Sequence, residues 1–304
     1  MNFDITILGS GSAVPTPKRN PSSQFINCHN RRILMDCGEG TQFQIRKFKI
    51  KLQSIQIILI SHLHGDHYFG LAGLLSTMNL LGRNGQLTIY GPKGLEEILK
   101  SQLKIGDSKF AFDIKFKTLF GKEREIIFED KKMEIHTFPL KHKIATNGFL
   151  IKEKEPLRKL KKEALEKDNI AIEYRHRLQK GEEIIDATGK ILDLARYTYP
   201  PKKARAYAYC SDTMPNEANL DLLNEVDLLY HEATFVNQHK ARAKSTMHST
   251  AEQAATFAKK AKAKKLILGH FSNRYLDTDT HQKEAGAVFE KVIIGEDGMQ
   301  FKID

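Results

Sequence analysis

The 304-residue chain has only three cysteines, Cys28, Cys37 and Cys210. They lie far apart, are odd in number and lack C-x-x-C spacing, which argues against a disulfide framework and for a reducing compartment. No apolar run approaches the roughly 20 residues needed to span a bilayer, so no membrane anchorage is expected. The start, "MNFDITILGSGSAVP", lacks a basic n-region and reads as a strand entering a turn, so no signal peptide is expected and the cytoplasm is the expected location. No internal repeat is evident. Hydrophobic residues at 40% and charged residues at 28% fit a globular chain able to bury a sizeable core.

Acidic residues are the other shortage. Against 48 Lys+Arg stand 37 Asp+Glu, a formal net charge of +11. Such an excess suits a polyanionic partner such as nucleic acid, although a merely solvated basic surface produces the same count.

Strand-like runs alternate with helix-like ones for most of the length, which predicts layered α/β structure. "SSQFINC" and "RRILMDCG" flank "HNR" as a hairpin, and "IQIILI" is the continuous apolar run of a fully buried strand. "FGLAGLLSTMNLLG" has helical apolar spacing and stops at Gly82. "AYAYC", "VDLLYH", "KKLILGH" and "KVIIGEDGMQFKI" are late strands. Residues 153–205 stand apart as charge-rich and poor in apolar runs. They read as a solvated helical excursion or as a basic arm that grips a substrate.

The chemistry concentrates in "SHLHGDH", Ser61 to His67. His62, His64, Asp66 and His67 share one tight turn at a strand's end, with Gly65 able to supply an unusual backbone angle. Imidazole and carboxylate ligate zinc, manganese and iron, and four such groups on one turn imply two adjacent ions. Further ligands should sit at the ends of other strands. His142, Asp212 and His270 occupy such positions, and the two oxygens of Asp212 suit a bridge between ions.

"GSGSAVP", "MDCGEGTQ", "SHLHGDHYFGLAGLL", "PLKH…NGFLI", "YCSDT", "HEATF", "HST" and "LGHFS" occur in this order along essentially the whole chain. In these motifs it resembles the metallo-β-lactamase fold hydrolases, and within them the ribonuclease Z family of tRNA 3′-processing endonucleases. The resemblance implies a single four-layer αββα sandwich over residues 1–304, with an arm at 153–205 inserted before the aspartate ligand. It implies two Zn2+ per subunit, with Mn2+ sharing the same ligand types. One ion would take His62, His64, His142 and Asp212; the other Asp66, His67, His270 and again Asp212. Asp66 would double as proton acceptor. Two ions suit phosphodiester hydrolysis because they activate water and stabilise attacking and leaving oxygens. The implied substrate is precursor tRNA, cut to a tRNA 3′-hydroxyl and a trailer 5′-phosphate, by a homodimer in which one subunit's arm presents RNA to the other's site.

His248 is the expected proton donor or phosphate ligand, with Glu232 orienting it. Ser249 and Glu252 have capping-box spacing, predicting a helix right after His248 whose free N–H groups favour a phosphate. His231 reads as structural as readily as functional, and Asp36 as a brace for the metal loop. Lys154, Arg158, Lys159, Lys161 and Lys162 are the expected RNA-contacting residues of the arm, with Lys18, Arg19 and Asn20 in an N-terminal loop associated with the 3′ end. Two departures from the family stand out. "NIAIEYRHR" replaces a Gly-Pro pair near the arm's tip, and "PTPKRN" moves the loop lysine one position. The competing readings are a hydrolase of small phosphodiesters or sulfate esters, which would not need the arm, and a catalytically dead RNA-binding subunit, which the filled ligand positions disfavour.

Overall fold

A computed structural model describes residues 2–105, 110–186 and 189–304. Two seven-stranded sheets face one another. In the first, Gln300–Lys302, Phe3–Gly9, Ser23–Cys28 and Arg31–Met35 pair antiparallel, and Ile57–Leu59, Leu87–Pro92 and Ile114–Leu119 continue parallel to Arg31–Met35. In the second, Val292–Ile294, Leu266–Gly269, Leu228–Glu232 and Ala206–Cys210 are parallel. Thr146–Glu153, Met133–Leu140 and Glu125–Glu129 complete it antiparallel.

The unbroken apolar runs are strands covered on both faces, as central parallel strands require. Side chains alternate by a period of two. Ile57 and Leu59 therefore enter the core between the sheets, while Ile58 joins Leu74, Leu75 and Met78 beneath the helix Leu71–Leu80. Across the molecule, Ile267 enters the inter-sheet core, and Leu266 and Leu268 meet the alanine-rich face of the helix Ala251–Lys260. Helix, sheet, sheet and helix make the four expected layers.

Two local features differ from the sequence reading. "KVIIGEDGMQFKI" is not one strand: Val292–Ile294 closes the second sheet and Gln300–Lys302 the first, with the chain crossing between them at 295–299. The segment 153–205, whose residues 187 and 188 lie outside the described ones, is more than a wet helix. Leu165, Leu178, Ile184, Leu192 and Tyr197 form a core of their own, separate from those of the sandwich. Helices Lys162–Lys167 and Ile172–Lys180 supply two of these side chains, and a ribbon pairing Lys159–Leu160 with Thr198–Tyr199 closes the unit.

Candidate metal centre

Parallel strands deliver their C-terminal ends to one edge of the sandwich, where ligands collect in such sheets. Arg31–Met35 leads to Asp36, Ile57–Leu59 to the 62–67 turn, Ala206–Cys210 to Asp212 and Leu266–Gly269 to His270. His142 arrives from the turn between Met133–Leu140 and Thr146–Glu153. Asp36 and His270 both hold left-handed backbone, φ 54° and 59°. For a histidine that conformation is uncommon, and here it turns the ring into the cluster. Gly65 does not have a positive φ. Its lack of a side chain makes room instead, since a Cβ would sit 2.1 Å from the Phe69 ring.

All seven residues expected as ligands come together. One group is His62, His64, His142 and Asp212; the other is Asp66, His67 and His270. Asp212 divides its oxygens between them. Its Oδ2 lies 3.4 Å from His62 Nε2 and 3.7 Å from His142 Nε2, and its Oδ1 lies 3.4 Å from His67 Nε2 and 3.1 Å from His270 Nε2. Asp66 Oδ2 is 3.2 Å from His270 Nε2 and 3.4 Å from His67 Nε2.

The outward nitrogens fix the ring orientations. His62 Nδ1 meets Ser61 Oγ at 2.9 Å, His67 Nδ1 meets Asp36 Oδ2 at 2.7 Å, His142 Nδ1 meets Met247 O at 3.0 Å and His270 Nδ1 meets Thr234 Oγ1 at 2.8 Å. Each Nε2 is thereby turned inward, the usual arrangement of metal-ligating imidazoles. Buried His67 Nε2 and Asp212 Oδ1 have no hydrogen-bond partner. Such atoms are costly unless something satisfies them, and a divalent cation held between His67 and Asp212 fits that need. Burial, joined by the neighbouring His67, lowers the His62 pKa to about 4, keeping the imidazole neutral as a ligand must be.

Asp36 lies beneath the turn and touches no cluster atom other than those of its brace. Fully buried, it accepts from Ser61 N at 2.7 Å, Ser61 Oγ at 2.9 Å, Tyr209 Oη at 2.8 Å and His67 Nδ1.

Glu232 and His231 point to opposite faces of their strand. His231 donates to the carbonyl of Glu232 and packs its ring at a tilt against Phe257, a structural role. Glu232 is wholly buried and faces the cluster, accepting from His248 Nδ1 at 2.8 Å, Ser249 N at 2.9 Å and Thr234 Oγ1 at 2.8 Å. Burial lowers the pKa of His248, but the Glu232 carboxylate more than offsets this and the imidazole is pushed up to about 9.

The capping box is one residue later than the sequence reading. Thr250 and Gln253 form it, and the helix is Ala251–Lys260. Ser249 is drawn into the site instead, its hydroxyl donating to Thr213 O at 2.7 Å. The N–H groups of Ser249, Thr250, Ala251 and Gln253 all have internal partners, so they do not form the free anion cradle that was expected.

A cavity of about 490 Å³ opens over the cluster, with His64, Asp66, His142, Asp212, His248 and His270 at its floor. Lys143, Arg242 and Arg274 form a basic wall. Sequence reasoning missed these three because they are distant in sequence: Lys143 is in the turn after Met133–Leu140, Arg242 in the helix Lys240–Thr246 and Arg274 in the loop after Leu266–Gly269. The N-terminal loop borders the cavity through Ser12, Ala13 and Val14, whereas Lys18, Arg19 and Asn20 do not line it. Arg19 Nη1 donates to Ser10 Oγ and to Gly295 O, Asn20 donates to Asp297, and only Lys18 is exposed. In the arm, Arg158 donates to Thr198 Oγ1, Lys161 to Ala195 O, and Lys154 pairs with Glu129. Lys159 and Lys162 are exposed.

Two facing sheets with histidines and aspartates at their shared edge define a metallo-β-lactamase fold protein. The YhfI protein of Bacillus subtilis, described as having that fold, superposes with a TM-score of 0.70 at 17% identity, covering 99% of this chain and all of that one. A family model described as Anti-Pycsar protein Apyc1 matches residues 3–157. Over the whole length the likeness is closer to another group. The Ribonuclease Z of Parabacteroides distasonis is 40% identical over 302 residues, 99% of each chain, and that of Cytophaga hutchinsonii 44% identical over 304 residues, 100% of this chain and 97% of its own. The short form of human tRNase Z superposes with a TM-score of 0.73 at 29% identity, covering 99% of both chains. The chain belongs to the ribonuclease Z family.

Proposed function

We propose that the protein is a zinc-dependent endoribonuclease that removes the 3′ trailer from precursor tRNA, leaving a tRNA 3′-hydroxyl and a trailer 5′-phosphate. The division of Asp212 between two groups of inward-turned histidines carries this reading. His62, His64, His142 and Asp212 would hold one Zn2+; Asp66, His67, His270 and Asp212 the other, with Mn2+ compatible with the same donors. When bound, the two ions supply Lewis acidity and a lowered water pKa to an in-line displacement at phosphorus.

The chain's own residues do the rest. Asp66, at the cavity floor, receives the proton of the attacking water. His248 is held through Nδ1 by Glu232 and carries a proton on its other ring nitrogen for the departing 3′-oxygen. Lys143, Arg242 and Arg274 hold the phosphates that flank the scissile bond, contacts that position RNA without reading bases. The 153–205 segment supplies a more distant grip, with Lys159 and Lys162 among its exposed cations. The family relatives named Ribonuclease Z, together with the +11 charge, favour RNA over a small ester.

We assign the active form as a homodimer. Phe43, Leu80 and Leu81 are 71%, 86% and 60% exposed on two helices joined by a Thr77 to Gln42 hydrogen bond, an apolar surface for a second copy to cover. Three buried, unpaired cysteines suit the cytoplasm, and among the described residues no helix is long and apolar enough to cross a membrane. The test is to incubate the protein with a trailer-bearing precursor tRNA and map the product's 3′ end. One cut at the tRNA–trailer junction, abolished by a chelator, is the expected result. An intact precursor alongside rapid turnover of a small aryl phosphodiester would overturn the assignment.

A further inference from the structure

The first and last residues of the inserted segment are each other's partners. Glu153 N donates to Arg205 O at 2.9 Å, and Arg205 N donates back to Glu153 Oε2 at 3.0 Å. The guanidinium then grips the carboxylate twice, Nε to Oε2 at 2.9 Å and Nη2 to Oε1 at 2.6 Å. The pair is largely buried, with side chains 9% and 16% exposed. Two groups from the other sheet reach the same spot. His29, in the turn of the Ser23–Met35 hairpin, places Nε2 2.5 Å from Glu153 Oε1, and Arg205 Nη1 donates to Ile303 O at 2.5 Å. Cys28, His29 and Glu153 also have the spacing of a cation site. With Arg205 occupying both carboxylate oxygens, however, the cluster is an ion pair rather than a metal site.

Both strand ends of the insert thus meet a hairpin turn and the C-terminal strand at the point where the segment leaves the body. The segment's apolar core does not merge with those of the sandwich among the described residues, so its direction is set mainly at this root. A bidentate guanidinium–carboxylate pair fixes direction as well as distance, and a small rotation there is amplified at the far end of the segment. We infer that Glu153, Arg205 and His29 form a clamp that aims the 153–205 arm, so that RNA held by the arm reaches the metal centre with its scissile phosphate in register. The inference rests on the reading of the segment as an RNA-binding arm. These are positioning residues; none touches substrate.

The test compares Glu153→Gln and His29→Asn with the unaltered protein on two substrates, a trailer-bearing precursor tRNA and bis(p-nitrophenyl) phosphate. Asparagine tolerates the φ of 50° at position 29 but is too short to reach Glu153. The clamp predicts a KM for precursor tRNA raised on the order of tenfold in Glu153→Gln and several-fold in His29→Asn, because misplacement far from the chemistry is costly. Turnover of the small ester should stay within about twofold, since the site itself is intact. Unchanged precursor KM in both variants, or equal losses on the two substrates in His29→Asn, would overturn it. If Glu153→Gln loses both activities through misfolding, His29→Asn decides. A Lys159→Glu/Lys162→Glu double variant tests the premise separately. Unchanged precursor KM there removes the arm reading, whereas raised KM there with silent clamp variants removes the clamp alone.

Discussion

Replacing Asp36 with asparagine should weaken metal binding without touching a ligand. The residue's φ of 54° is one that asparagine tolerates, so the backbone is not the target. Four donors converge on its carboxylate: Ser61 N on Oδ1, and Ser61 Oγ, His67 Nδ1 and Tyr209 Oη on Oδ2. An amide keeps one acceptor. Its oxygen would stay with the three donors, and its NH2 would then face the Ser61 N–H, stranding a buried donor at a cost of about 1–3 kcal/mol in stability. The consequence for metal binding falls on His67, whose Nδ1–H loses a charged acceptor. Removing such an outer partner typically costs about 10–100-fold in metal affinity, or roughly 1.4–2.8 kcal/mol. Competition of the purified variant with a chromophoric zinc chelator measures this directly. Affinity within about twofold of the unaltered protein would refute the claim that Asp36 sets the donor strength of His67.

Other perturbations separate the remaining roles. His248→Gln should lower kcat on precursor tRNA by about 10²–10⁴-fold with metal content unchanged; a fall in bound metal would instead make His248 a ligand, as its proximity to Asp212 and His270 permits. Leu178→Ala removes a fully buried side chain from the arm's own core and should cost about 2–5 kcal/mol, felt locally. Limited proteolysis should then cut within 153–205 while the sandwich stays intact, and a whole-chain loss of protection would contradict a separate arm core. Burial raises the pKa of Glu153, but its bonds to Arg205 outweigh this and hold it below the ordinary 4.5. A carboxylate depressed on folding contributes stability above its unfolded pKa and loses it as pH falls through the folded value. The gap in melting temperature between the unaltered protein and Glu153→Gln should therefore be full at neutral pH and shrink on acidification below about 4.5; a constant gap would show that the charge of Glu153 does not matter.

Much of this site was legible because its chemistry is packed into short motifs at strand ends. His62, His64, Asp66 and His67 share one turn, and "IQIILI" announces the buried strand that carries it. His142, Asp212 and His270 each follow an apolar run, so the sheet rule gathered them. What stayed hidden depends on partners that are distant in sequence. Ser249 has capping-box spacing with Glu252, yet Glu232 and Thr213 claim its N–H and hydroxyl, and Thr250 caps the helix. The role of Gly65 comes from the ring of Phe69 rather than from its own φ. Lys143, Arg242 and Arg274 make a wall only once two loops and the helix Lys240–Thr246 meet. The arm's core escaped notice because Leu165, Leu178, Ile184, Leu192 and Tyr197 sit singly or in short apolar pairs among charges. Arg19 illustrates the opposite error: a cation that looks free in the sequence is held by Ser10 and Gly295 and lies over the Phe271 ring.

The central claim is that Asp212 joins two ions whose presence licenses one cut in precursor tRNA. The most direct measurement titrates metal-stripped protein with zinc and follows cleavage of a trailer-bearing precursor, with Asp212→Ala in parallel. The account predicts activity that saturates at two equivalents per chain, a single cut at the trailer junction, and none in the variant. Saturation at one equivalent, or cleavage by Asp212→Ala at an undiminished rate, would contradict it.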